Sequence, residues 1–286
     1  MKGVGLLGLF TIVMAACGGQ QALEQRSFDD DQIFSPRDAL QMYLVLTNEP
    51  TAMEAPSDVE DMWRAVRGEL TAFSFVSKHV SQIRVPADYR VDVELDFASL
   101  PHPKLSAKRL RPILRGLPTV EREKGQRAIL AVSFRSRSQT LPQGNHIRLV
   151  GAAVLRAAER YDGVVVDLLA RRAFTAAAWR RELNRRSLHE GQTRLAKRRA
   201  SNGSILLVSR GHIKYGAPDL VLGPVTAEEV SKARLFFRAA QRAILQGNPK
   251  PGEEISVSGQ TMPLLNCGTR GFDGRCVRLT FQRDWP

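Results

Sequence analysis

The stretch that decides the fold runs from residue 126 to 169: QRAILAVSFR (126–135), LPQGN (141–145), a polar and apolar run to Tyr161, then DG (162–163) and VVVDLL (164–169). The first segment has the branched and aromatic content of a strand. LPQGN makes a turn, and Asn145 is placed to cap a helix that runs through Tyr161. Its apolar stripe is Ile147, Val150, Val154, Leu155 and Ala158, at helical spacing. Asp162-Gly163 stops the helix, and 164–169 is a second strand. Strand, helix and strand cover about 43 residues, the length of a βαβ unit. A split arrangement, in which the two strands are not parallel neighbours, fits the same pattern.

Upstream, QMYLVLT (41–47) reads as a buried strand ended by Asn48-Glu49-Pro50. Ser57-Asp58-Val59-Glu60 is a capping box, followed by Val59, Met62, Trp63, Val66 and Leu70 on one helical face. RVDVELDF (90–97) alternates strictly, as a half-buried strand does. A basic, proline-punctuated segment covers 100–124. Downstream, 175–187 reads as helix, and 204–209 and 219–222 as short strands around Tyr215-Gly216-Ala217-Pro218. Thr226-Ala227-Glu228-Glu229 caps a long helix to about Gln246, with Val230, Leu235, Phe236, Phe237, Ala240 and Ile244 apolar. Asn248-Pro249-Lys250-Pro251-Gly252 ends it. The rest reads as strand, loop and strand. The expected fold is α+β: one mixed-sheet domain over 36–286 with several packed helices and one βαβ unit, and a two-lobed version is compatible.

With 286 residues, 43% hydrophobic and 25% charged, the chain is neither a disordered polymer, nor a fibrous repeat, nor a polytopic membrane protein. Its formal net charge is +13, unevenly spread. From Glu24 to Glu69 eleven acids face four bases, whereas 104–137 and 171–199 each hold ten bases and two acids. Arginine dominates, which suits two-pronged contact with phosphate or carboxylate. Arg171, Arg172, Arg180, Arg181, Arg185 and Arg186, beside Phe174 and Trp179, form a candidate anion-binding helix near an anionic layer. The plainer account is a solvated face. Nucleic acid is not expected as a partner, because zinc-finger spacing, RNP-like aromatics and helix-turn-helix signatures are all missing.

The amino terminus carries an address. Met1-Lys2 precedes an apolar run, 3–16, of signal-peptide length and too short to span a bilayer. It ends Met14-Ala15-Ala16-Cys17-Gly18-Gly19, which resembles the lipobox of bacterial lipoproteins, with Met14 where that family prefers Leu, Val or Ile. The resemblance implies cleavage of a signal peptide, 1–16, and acylation of Cys17 (diacylglycerol and an amide-linked chain such as palmitate). Residues 17–35, rich in Gly, Gln and Asp, would then be a flexible tether. Gly18 stands where Asp often marks inner-membrane retention, so the resemblance points to the outer membrane, facing the periplasm or the exterior. With Cys17 lipidated, Cys267 and Cys276 remain. They bracket a stretch with three glycines, and an oxidising compartment favours a disulfide between them. A metal site or a redox role fits the spacing less well.

Chemistry is sparse. His79, His102, His146, His189 and His212 fall in no zinc-protease spacing, and Gly-x-Ser-x-Gly, Walker and Gly-x-Gly-x-x-Gly motifs do not occur. No metal or cofactor is expected. Ser209-Arg210-Gly211-His212-Ile213-Lys214-Tyr215-Gly216 groups reactive side chains just after an apolar strand, with Asp167 as a candidate partner. The plainer account is a polar loop behind a buried strand. The spacing of Tyr161 to Asp167, Phe174, Trp179 and 211–219 is similar to that in uncharacterised bacterial domains of unknown function, which implies no activity. The expectation is a lipid-anchored envelope protein, binding or scaffolding without catalysis. Its partners would be the membrane through the anchor, and anionic envelope components or an envelope protein. An envelope hydrolase with its site around His212 is the alternative.

Overall fold

Strand β2 (Asp38–Thr47) is the hub of the molecule, because β4 (Leu130–Gln139) pairs along its whole length on one side and β5 (Val164–Asp167) on the other. The computed structural model describes residues 10–13, 38–49, 90–100, 102, 105–141, 144–185, 188, 192–199, 203–247, 252–267 and 276–280. The expected helix over 59–70, Cys17, the tether and Arg186 lie outside them. Beyond β4 comes β3 (Arg90–Ser99), then the edge strand β1 (Phe10–Val13), and beyond β5 comes β6 (Arg172–Phe174). The order β1-β3-β4-β2-β5-β6 is antiparallel throughout. β1 falls within the expected leader, and without it β3 becomes the edge.

Helix α3 (Asn145–Arg160) joins β4 to β5, two strands that run parallel but with β2 between them. This is the split form of the βαβ unit. The centre of the sheet is buried on both faces. Tyr43, Val45, Val132, Phe134 and Val165 pack on α3 and on α4 (Ala176–Leu183). Leu44, Leu46, Ala131, Val164 and Val166 pack on α1 (Ala107–Leu114), whose Leu110 and Leu114 they meet. Two-sided burial is why β2 and β5 are continuous apolar runs and not alternating ones. Trp179 of α4 is fully buried between Tyr43 and Phe174, and its Nε1 donates to the Gly151 carbonyl at 2.9 Å. Gly151 leaves room for α4: a Cβ there would lie 2.5 Å from the Leu183 side chain and 3.3 Å from the Trp179 ring.

The second sheet has the order β12-β13-β9-β8-β7: Leu265–Asn266, Cys276–Leu279, Asp219–Val225, Ile205–Arg210 and Arg194–Arg199. β13 and β9 are parallel and the other pairs antiparallel, so the mixed character resides here. One face is covered by α5 (Val230–Gly247) and by the hairpin β10 (Glu254–Val257) and β11 (Gln260–Pro263), through Phe236, Phe237, Ala240, Ile244, Ile255 and Met262. The fold is thus α+β, as expected. No described helix is long and apolar enough to cross a membrane.

Several local expectations shift. Residues 126–129 are not strand, because α2 (Thr119–Gln126) occupies the first of them and β4 begins at Leu130. Gly144, in the left-handed region at φ 69°, takes the cap position before α3, and the Asn145 side chain instead accepts a hydrogen bond from Arg148. α4 ends at Leu183, short of 187. The 226–229 box does form, with the Thr226 N–H donating to Glu229 Oε2 at 2.8 Å. Leu235, expected in the apolar stripe of α5, is 58% exposed.

Candidate functional site at the junction of the two sheets

Apolar strands deliver polar side chains to the place where the sheets meet. Asp167 is the last residue of β5. Its Oδ1 accepts the backbone N–H groups of Leu169 (3.1 Å) and Ala170 (2.9 Å), which fixes the turn that follows. Its Oδ2 faces Lys214 Nζ at 2.5 Å, and the same ammonium donates to Gln192 Oε1 at 2.9 Å. Lys214 belongs to a 3₁₀ turn, His212–Tyr215, that follows β8. The pair therefore bridges the two sheets, and both residues are fully buried. Burial pushes the Lys214 ammonium below its ordinary pKa, and Asp167 opposes that shift. Tyr43 lies beneath, with Nζ 5.8 Å from its ring centre, and burial raises its phenol well above the usual range.

His146, on the first turn of α3, ties the helix to the same turn. Its Nδ1 accepts the Leu141 N–H at 3.0 Å, so the ring proton sits on Nε2 and is donated to the Lys214 carbonyl at 2.7 Å. Gln41 of β2 donates to the His146 carbonyl at 3.1 Å. Burial lowers the imidazole to about 4, with Arg148 and Lys214 adding to the fall and the two backbone hydrogen bonds opposing it. Arg148, also fully buried, donates to the carbonyls of Leu183 (3.1 Å) and Arg185 (2.7 Å) and to Asn145 Oδ1 (2.9 Å). It thereby satisfies the open carbonyls at the end of α4, where a cation is favoured. Burial lowers it to about 10.

Ser209, His212 and Asp219 are the residue types of a hydrolytic triad, and they do come together. Ser209 Oγ is 3.3 Å from His212 Nδ1 and 3.4 Å from Asp219 Oδ1. The wiring, however, is that of a backbone staple. His212 Nδ1 donates to the Pro218 carbonyl at 3.0 Å, which leaves Nε2 to accept from Gln241 Nε2 on α5 at 2.9 Å. Asp219 holds the His212 backbone N–H (3.1 Å), not its ring, and Ser209 Oγ accepts the Leu220 N–H at 2.6 Å. A working triad needs one ring nitrogen aimed at the serine and the other held by the acid. Here serine and carbonyl share one nitrogen, and an α5 amide takes the other. The ring is fully buried and lowered by that burial to about 4. Burial also pushes the Asp219 carboxyl up to about 7, against the pull of the His212 N–H, Arg210, Ser209 and Lys214.

Gly211 makes the tight turn possible. Its φ is 95°, and a Cβ there would lie 2.9 Å from the Gln192 carbonyl. Cys267 and Cys276 are joined by a disulfide with Cα atoms 5.8 Å apart, and Cys276 is the register partner of Asp219, so the bridge flanks this network.

The sequence-expected patch 209–216 and Asp167 thus meet in one buried cluster. Gln41, Tyr43, His146, Arg148, Gln192 and Gln241 complete it and carried no motif. Their only sequence signal is polarity within apolar stripes, as at Gln41 and His146.

The candidate anion-binding arginines do not share one helical face. Arg171 is exposed in the turn before β6, and its carbonyl accepts Arg194 at 2.7 Å. Arg172 lies over the Phe174 ring at 4.8 Å, and Arg180 pairs with Glu159. Arg181 is exposed on α4, and Arg185, beyond the helix end, pairs with Glu182 at 3.1 Å. Among the described residues no three His, Cys, Asp or Glu side chains converge as metal ligands. No family model, curated protein or solved structure matches this chain.

Proposed function

We propose that this chain is a lipid-anchored cell-envelope protein, held at the outer membrane through Cys17, whose α+β domain binds or scaffolds envelope components without catalysing a reaction. One observation carries this above the rest. The side chains with reactive chemistry, Ser209, His212, Lys214 and Asp167, are buried and engaged in holding β5, β8, β9, α3 and α5 together. A nucleophile and base in use must reach a substrate and exchange protons with it. The Cys267–Cys276 disulfide suits an oxidising compartment, in line with the address expected from the lipobox. The net charge of +13 suits anionic envelope partners.

Mass spectrometry of the mature amino terminus tests the anchor: cleavage before Cys17 and an acyl mass on it are expected, and Cys17→Ser should move the protein to the soluble fraction. A mature chain with an intact leader and an unmodified sulfur defeats the reading. The hydrolase alternative is tested by His212→Asn, whose amide can replace Nδ1–H toward the Pro218 carbonyl. If the native protein hydrolyses an ester or peptide substrate and this folded variant does not, the binding reading gives way.

A further inference from the structure

The outer face of α5 carries charge that pairs with no described residue. Arg234, Arg238 and Arg242 recur at intervals of four and are exposed, and no ion pair or hydrogen bond joins their guanidinium groups to any described residue. At 100° per residue the three fall within about 80° of arc, over roughly 12 Å of helix. Ser231 and Leu235 lie on or beside the same arc, Leu235 being 58% exposed, and no acid interrupts it. The opposite face of α5, through Phe236, Phe237, Ala240 and Ile244, is fully buried on the second sheet. Like charges one turn apart cost a helix a few tenths of a kcal/mol per pair.

We infer that this face is a docking surface for an anionic phospholipid bilayer, with Arg234, Arg238 and Arg242 on headgroup phosphates and Leu235 at the acyl boundary. Guanidinium groups pair with phosphate oxygens two at a time and shed water more readily than ammonium groups. The apolar face of α5 is taken up by the second sheet, so this surface would dock by its arginines on phosphates, with Leu235 alone reaching the acyl boundary. A soluble polyanion would use the arginines and leave the leucine idle. The inference takes its bilayer from the proposed envelope address, and it uses residues separate from Cys17.

The test is binding of the full chain to vesicles of phosphatidylcholine alone and of phosphatidylcholine with 30% phosphatidylglycerol. The contrast between the two cancels any uncharged contribution from the leader. Each basic residue at an anionic surface strengthens binding about fivefold, so Arg234→Gln with Arg238→Gln and Arg242→Gln should weaken binding to the anionic vesicles about a hundredfold. Binding to neutral vesicles and the circular dichroism spectrum should not change. Leu235→Ser should weaken anionic-vesicle binding severalfold while leaving binding to inorganic polyphosphate untouched. Lys108→Gln with Arg111→Gln and Arg115→Gln, exposed on α1 and at its C-cap, is the charge-matched control. Equal loss from that control shows binding by net charge alone and overturns the inference. So does an unaltered Leu235→Ser variant whose arginines serve polyphosphate equally well. A Cys17→Ser chain that still discriminates anionic vesicles retains the α5 surface even if the anchor fails. An acylated chain that does not discriminate retains the anchor and loses the surface.

Discussion

His146 and His212 are equally buried, are lowered to the same pKa of about 4, and are wired in opposite senses. His146 keeps its proton on Nε2, for the Lys214 carbonyl, because a backbone N–H occupies Nδ1. His212 keeps its proton on Nδ1, for the Pro218 carbonyl, because an amide occupies Nε2. In each case the local backbone selects the tautomer, and the ring serves as a rigid two-ended connector. The first ring borders the Asp167–Lys214 ion pair, whereas the second is held between a backbone carbonyl and the Gln241 amide. This difference sets how each region should break.

The largest effect is expected on the charged side. Asp167→Asn leaves the Lys214 ammonium buried without its counter-charge and should cost about 3–5 kcal/mol in urea unfolding. Replacing both members together, with Asp167→Leu and Lys214→Met, should recover most of that loss. A double variant as unstable as the single one would show that the carboxylate's grip on Leu169 and Ala170 matters more than the pair.

The histidines come next. The unfolded chain protonates both rings below about pH 6.5, while the folded chain keeps them neutral until about 4. Their contribution is therefore complete above about 6.5 and is lost as pH falls toward 4, about 3 kcal/mol per ring. Side chains that imitate each tautomer separate the two: Gln can stand in for Nε2–H at 146, and Asn for Nδ1–H at 212. Each should remove about 3 kcal/mol of the stability lost on acidification between pH 6.5 and 4. The exchanged pair, His146→Asn and His212→Gln, should remove that acid dependence too but lose about 1–3 kcal/mol at pH 7 through unpaired backbone groups. Identical behaviour of matched and exchanged variants would refute the assigned tautomers.

The smallest effect is expected at Gln241→Leu, which removes the donor to His212 Nε2. It should cost about 1–2 kcal/mol in thermal unfolding and raise the apparent pKa of His212, read by the NMR shift of its ring protons.

Much of the architecture was legible where burial and periodicity agree. The apolar content of 41–47 and 164–167, the stripe of α3 and the Thr226–Glu229 box all lie where the structure has elements. α1 and α2 were not legible. α1 holds an internal proline, Pro112, in a basic stretch that masks its short stripe of Leu110, Ile113 and Leu114, and α2 buries only Gly125. The start of β4 was misplaced for the same reason, since α2 takes up Gln126. Leu235 misled in the other direction: an apolar side chain next to Phe236 and Phe237 looks like core, and only the sheet's position puts it outside. At the junction, the 209–216 patch was visible as a cluster of residue types. Which ring nitrogen faces which carbonyl depends on β8, β9 and α5 meeting in space, and no spacing along the chain encodes that.

The middle position of β2 also has a consequence for synthesis. Both of its neighbours are made later: β4 begins some eighty residues after β2 ends, and β5 later still. A chain emerging amino end first must carry this greasy ribbon with two bare edges until they arrive, a state prone to sticking to other chains. Nascent chains halted before residue 139 should be cut by protease within 38–47, and chains extended past 167 should resist.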